Sequence, residues 1–179
     1  MPSKIKKKSE KHIQSNVIYK IGQELREYTI SMQDSEKRKA KDKFMDLYQK
    51  AEYAYKQLLI DYKINVDGLI PDKNYNDKKG DKRRFNPDRL NIVDTQVKKV
   101  MKYAEIALDN RLFCNSEEYK KEGQKSCRIL RNEITHKSSK KATDEVFLRK
   151  AELYNVLESF LNIFTKSILY ELTKLPEGH

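Results

Sequence analysis

Residues 10 to 63 contain no proline and a single glycine, Gly22, and their apolar residues recur at helical rather than strand spacing. Ile13, Val17, Ile21, Leu25 and Tyr28 fall on one stripe, which predicts a helix from about Glu10 to Gln33. Phe44, Leu47, Tyr48, Ala51, Leu58 and Tyr62 mark a second helix ending near Lys63, with Asp34 or Ser35 as its cap. A chain that begins this way must lay long apolar stripes against other helices. The whole sequence has only 5 Gly and 4 Pro in 179 residues, so its elements are few. Charged residues (36%) nearly equal hydrophobic ones (37%), which suits amphipathic helices and excludes a thick sheet buried on both faces. Eleven Tyr, 6 Phe and regularly spaced aliphatics argue against a disordered chain.

The remainder reads similarly. Residues 64–87 hold two prolines and two glycines and form a loop, whose second half, DKKGDKRRFNPDR, is basic and lacks any apolar period. It reads as a surface loop or as a segment ordered by a ligand. A third helix is predicted from about Asp88 to Leu112, with Leu90, Val93, Val97, Val100, Met101, Ala104 and Leu108 inward. A fourth begins near Ser116, capped by Ser-Glu-Glu, and carries Cys127, Leu130 and Ile134. KSSKKAT, residues 137–143, breaks the pattern before a fifth helix starts at Thr143, with Phe147, Ala151, Tyr154, Leu157, Leu161, Phe164 and Ile168 inward. Residues 176–179 form a short tail. The expected fold is an all-α, up-and-down bundle of about five helices in one domain spanning 1–179, with no strand pair.

The formal net charge is +11, a field that favours polyanions, RNA or DNA above all. Cys114 and Cys127 make neither a disulfide framework nor a zinc site and are read as reduced, Cys127 facing the core. The basic start, MPSKIKKKSEKH, has no apolar run after it, so it is not a secretory signal. Leu153 to Leu172 is the most apolar stretch, but Glu158, Asn162 and Lys166 interrupt it, so no membrane span is expected and the location expected is the cytoplasm.

Several chemistries fall away. No two glycines are closer than 12 residues, so there is no phosphate-cradling loop. Histidines at 12, 136 and 179 are too scattered for a His-based metal site, and no metal or other cofactor is expected. What remains is Arg128-Ile-Leu-Arg131-Asn132-Glu133-Ile134-Thr135-His136. An imidazole can take a proton from a ribose 2′-hydroxyl and return one to the leaving 5′-oxygen, while a guanidinium holds the phosphate. RNA supplies its own nucleophile, so those two groups suffice without a metal. On an ideal helix, however, five residues turn through about 140° and rise about 7.5 Å, so Arg131 and His136 would not share a face. Arg128, Asn132 and His136, four apart, form one polar stripe. Arg131 joins it only if the helix bends or frays near His136, or if a second subunit contributes across a two-fold axis.

LRNEITHK, with the helix order around it, resembles the signature of the HEPN superfamily, helical bundles bearing Arg-x4–6-His with a polar residue often following the Arg. The motif spans about ten residues, and the likeness in helix order extends loosely over most of the chain. The resemblance implies a dimeric, metal-independent endoribonuclease of toxin–antitoxin, abortive-infection or other anti-phage defence. Arg131 and His136 would be catalytic, with Asn132 assisting, in a composite site of a homodimer. RNA would be the substrate, and an antitoxin or other defence protein a possible partner. Some members carry His-x-Tyr; Lys137 and Ser138 follow the histidine here, so a mechanism resting on that tyrosine does not carry over. Arg128, Lys137, Lys82, Arg83 and Arg84 are the expected RNA contacts, by charge and position. The alternative is a non-catalytic helical module that binds RNA, nucleotide or a protein partner.

Overall fold

The computed structural model describes the backbone of residues 3–72, 83–115 and 123–173, and the side chains of 19–72, 83–115 and 123–166. Among these residues it is an all-α bundle of six helices: α1 (Ser3–Asn65), α2 (Asp94–Tyr103), α3 (Asn110–Phe113), α4 (Cys127–Lys137), α5 (Lys140–Leu148) and α6 (Lys150–Thr173). No described helix is long and apolar enough to cross a membrane.

The two predicted N-terminal helices are one continuous helix, α1, of 63 residues. Asp34 and Ser35 cap well, but a cap residue does not compel a break. Carrying a helix through two mediocre formers costs about 0.5 kcal/mol each, whereas starting a second helix requires a new nucleus. Lys37 also pins this stretch, 2.7 Å from Asp144 on α5. Gly22 lies inside the helix with open space where a Cβ would stand.

From Ala40 onward α1 is the centre of the core. Ala40, Phe44, Leu47, Tyr48, Ala51, Ala54, Tyr55 and Leu59 are buried. Phe113, on the four-residue α3, inserts among them, with ring centroids 6.0 Å from Tyr48, 5.1 Å from Tyr55 and 5.7 Å from Phe160 of α6. Asp109 starts α3 by accepting from the Arg111 backbone N–H (2.9 Å). Near the other end of this core, the Tyr154 hydroxyl of α6 donates to the Ala40 carbonyl (2.8 Å).

The long third helix of the sequence reading is replaced by a 3-10 turn (Pro87–Arg89), α2 and α3. Glu105 adopts φ 56°, a left-handed conformation that ends α2. Val97, Val100 and Met101 are buried as expected; Val93 and Leu108 are exposed. The expected start of the fourth helix at Ser116 lies outside the described residues. The described α4 begins at Cys127, where buried Ser126 accepts from Ile129 N–H (3.3 Å) and donates to the Cys114 carbonyl. α5 starts at Lys140 rather than Thr143, because Ser139 is the cap, accepting from Ala142 N–H (3.2 Å). The predicted fifth helix is interrupted at Arg149, whose guanidinium holds Glu145 (2.7 Å), Glu152 (3.1 Å) and the Lys125 carbonyl (2.9 Å). That interruption exposes Ala151 and turns Leu153, Val156, Leu157 and Phe160 inward. One strand pair exists where none was expected: β1 (Ile70–Pro71) runs parallel to β2 (Arg84–Phe85). Ile168 and the 176–179 tail lie outside the residues whose side chains are described.

Both cysteines are outside any disulfide, and Cys127 is buried, where desolvation pushes its thiol up to about 12. Arg149 hydrogen bonds hold the Glu152 carboxyl below the usual range, against the opposing pull of burial. A depressed carboxylate stabilises the fold above its unfolded pKa, about 4.3, and loses that contribution as pH falls through its folded pKa. Glu152→Gln is therefore expected to lower the melting temperature at pH 7, and the gap to wild type should narrow progressively as scans are taken at pH values below about 4.3. Leu130→Ala, which empties a fully buried position on α4, should cost about 2–5 kcal/mol in urea unfolding.

Candidate functional site

α4 runs past α1 with Cys127 and Leu130 inward, so the residues flanking that stripe border a groove. Arg131 follows Leu130 and projects to the α1 side. Its Nη1 donates to Asn132 Oδ1 (2.9 Å), its Nη2 lies 3.4 Å from Glu52 Oε2, and its guanidinium carbon sits 5.9 Å from the Tyr48 ring centroid. Burial, reinforced by Glu52, pushes the Tyr48 phenol up, so the ring stays neutral and presents its face to the cation. Glu52 is shared with Lys56, 3.3 Å away.

Two adjoining clefts meet at Tyr48, Glu52, Lys56 and Arg131. The smaller, about 200 Å3, adds Asn91, Arg128 and Asn132. The larger, about 600 Å3, adds Met45, Gln49, Tyr53 and Thr135. The segment leaving β2 passes through the 87–89 turn and supplies Leu90, Asn91 and Ile92 to one wall of the smaller cleft. Thr135 faces Met45 and Gln49 while Arg131 faces Glu52, so α4 runs antiparallel to α1.

The predicted site residues fall into three groups. Arg131 and Asn132 are brought together, half-buried, in the groove. His136 is exposed in the last turn of α4, one turn beyond Asn132 on that residue's face. α4 stays helical through Lys137 and ends only where Ser138 turns left-handed (φ 46°), its N–H bonding the Glu133 carbonyl. No bend therefore draws Arg131 and His136 together within one chain, and their Cα–Cβ directions stay about 140° apart. Of the expected RNA contacts, Arg128 is engaged in the fold: its Nη1 meets Asp94 Oδ1 (3.1 Å) and the Phe113 carbonyl (3.3 Å). Arg84 pairs with Asp72 (3.3 Å), Arg83 is exposed beside it, and Lys82 lies outside the described residues. Lys137 is exposed next to His136.

Glu52, Lys56, Tyr48, Tyr53 and Asn91 were not among the sequence candidates. They reach the groove from α1 and from the segment before α2, and no local motif marks them. Lys140 and Lys141, exposed in the first turn of α5, add to the charge around His136 and Lys137; in the sequence they stood only for a helix break. Among the described residues no three His, Cys, Asp or Glu side chains converge as a metal site would require.

No protein-family model matches the chain, and no curated protein or solved structure matches it significantly.

Arg128→Ala should destabilise the protein by about 1–3 kcal/mol, because it strips a partner from Asp94 and from a backbone carbonyl. Lys137→Ala should leave stability within about 0.5 kcal/mol. Urea unfolding of the two variants measures both outcomes and separates a residue of the fold from a residue of the surface.

Proposed function

We propose that this chain is a metal-independent endoribonuclease of the HEPN type, acting in the cytoplasm as a toxin or anti-phage effector, with a site completed by a second subunit. The observation that carries this reading is the Arg131–Asn132 contact with His136 exposed one turn further along, beside Lys137, Lys140 and Lys141. A cation held in a groove, an adjacent amide and a solvent-reachable imidazole are the groups that 2′-hydroxyl attack on an RNA linkage requires. His136 takes the proton from O2′ as that oxygen bonds to phosphorus, and the P–O5′ bond breaks. A proton returned to the 5′-oxygen completes the step, leaving a 2′,3′-cyclic phosphate and a 5′-hydroxyl. Arg131 offsets the charge gathering on the phosphate oxygens. Since the two side chains diverge within one protomer, the reading requires Arg131 of one chain to meet His136 of the other.

The same divergence favours a second reading. With Arg131 occupied by Glu52 and Tyr48, the groove and the lysines of the α4–α5 junction serve a module that binds RNA without cutting it. An antitoxin or other defence protein belongs to the first reading only.

Mixed RNA incubated with the protein in EDTA is expected to yield ends carrying 2′,3′-cyclic phosphate, and Arg131→Ala or His136→Ala alone should abolish them. Mixing the two inactive variants should restore up to about half the activity in each mixed dimer, because one of its two composite sites is then intact. Salt-sensitive binding with no cleavage by wild type selects the binding module; equal cleavage by wild type and both variants rejects the assigned residues.

A further inference from the structure

Glu52 stands on the ridge where the two clefts of the groove meet, and each of its carboxylate oxygens faces a different cation. Oε1 is 3.3 Å from Lys56 Nζ, and Oε2 is 3.4 Å from Arg131 Nη2. Both separations exceed the roughly 2.7–2.9 Å of a well-made charged hydrogen bond. Pairs that hold this fold together reach that length: Arg149–Glu145, Arg111–Asp109 and Lys37–Asp144 are each 2.7 Å apart. Glu52 is therefore a loose partner to both of its cations. Its side chain is 20% exposed, that of Arg131 31% and that of Lys56 37%, so a solute can reach all three.

The surroundings suit an anion. Among the described residues that line the smaller cleft, Glu52 is the one acid, set against Lys56, Arg128 and Arg131. Arg128 is committed to Asp94 and the Phe113 carbonyl, which leaves Arg131 and Lys56 to share a single carboxylate. Asn132 accepts from Arg131 through Oδ1, and its amide nitrogen still carries two donors. Asn91 brings a second amide to the same wall. At about 200 Å3 the cleft is smaller than the roughly 300–1,000 Å3 of sites for drug-sized molecules, and it has room for a small anion. Two cations and two amides around one small space match a phosphate, whose oxygens accept from several donors at once.

We propose that Arg131 and Lys56 form a two-point phosphate site that Glu52 occupies in the free protein, and that a ligand's phosphate group enters as the Glu52 carboxylate swings out. The inference rests on the phosphate-holding role given to Arg131 above. It adds Lys56 as a second contact and Glu52 as a built-in competitor, and it makes no use of His136. One anion replaces another, so neither cation is left without a partner in the occupied state. The Glu52 side chain can turn about its own bonds toward the larger cleft without any movement of α1. A phosphate that arrives with the carboxylate still in place is repelled, so the ridge sets a threshold for binding.

The test uses the full chain in EDTA, with ionic strength held at about 0.15 M so that remote charges are screened. Two probes are titrated: inorganic phosphate, followed by the rise in melting temperature, and a fluorescein-labelled single-stranded oligodeoxynucleotide, followed by anisotropy. Glu52→Gln keeps the size of the side chain and removes its charge; it should bind both probes roughly tenfold tighter than wild type, because two competing ion pairs are gone. Adding Lys56→Gln to that variant should return both affinities to the wild-type value or below. Glu158→Gln makes the same charge change at the Lys43 pair on α6, outside both clefts, and should leave affinity within about twofold. Gain with both probes means that nucleic-acid backbone phosphates reach the site; gain with inorganic phosphate alone keeps the site and limits its ligands to small phosphate compounds. A Glu52→Gln that binds no tighter than Glu158→Gln overturns the proposal, as does a gain that survives Lys56→Gln or one confined to the oligonucleotide. Weaker binding by Glu52→Gln overturns it as well, and makes Glu52 the residue that orients Arg131. The oligodeoxynucleotide has no 2′-hydroxyl, so a chain that cuts no RNA can meet every expectation here, and an active ribonuclease can fail them.

Discussion

One face of α1, from Ala40 to Leu59, is the surface on which the bundle is assembled. Phe44, Tyr48, Ala51, Tyr55 and Leu59 stack along it, and the aromatic ring of Phe113 is wedged between that row and Phe160. Burying these side chains stabilises the fold through the apolar area removed from water. The same packing sets the groove, since α4 can bury Cys127 and Leu130 only by bringing Arg131 alongside Tyr48 and Glu52. Core and candidate site are therefore two sides of one helix–helix contact. A change that loosens Leu130 disturbs the cation beside it.

Helical class and part of the core could be read from periodicity, because apolar spacing reports which face is buried; Tyr55, Leu59, Phe113 and Phe160 stood outside the expected stripes, and Ile21, Leu25 and Tyr28, which were on one, are exposed. Phe44, Leu47, Tyr48, Val97, Val100, Met101, Cys127, Leu130 and Leu157 all proved buried. Boundaries were less legible, for reasons that lie in particular residues. Asp34 and Ser35 looked like a cap but sit mid-helix, where their neighbours' helix preference prevails. Glu105 gave no warning of a left-handed turn, a conformation more often taken by Gly or Asn. Arg149 interrupts a helix through a network with Glu145, Glu152 and the Lys125 carbonyl that only the tertiary fold assembles.

The candidate site divides along the same line. Arg131, Asn132 and His136 stood out because they are close in sequence, and their divergence around the helix followed from residue count alone. Glu52, Tyr48 and Lys56, which decide how Arg131 is held, are some eighty residues away and have no signature of their own. Arg128, a cation in a basic stretch, is held by Asp94 and the Phe113 carbonyl, partners that no local motif announces.

The absence of any break at residues 34–36 has a mechanical consequence. A helix is stiff along its axis, and the exposed section from Tyr19 to Glu36 and the groove wall bearing Tyr48 and Glu52 belong to one rod. Whatever grips the far section holds a lever whose short end is that wall. A small tilt there reaches the guanidinium of Arg131 as a displacement of its carboxylate partner, with no loop between them to absorb the motion.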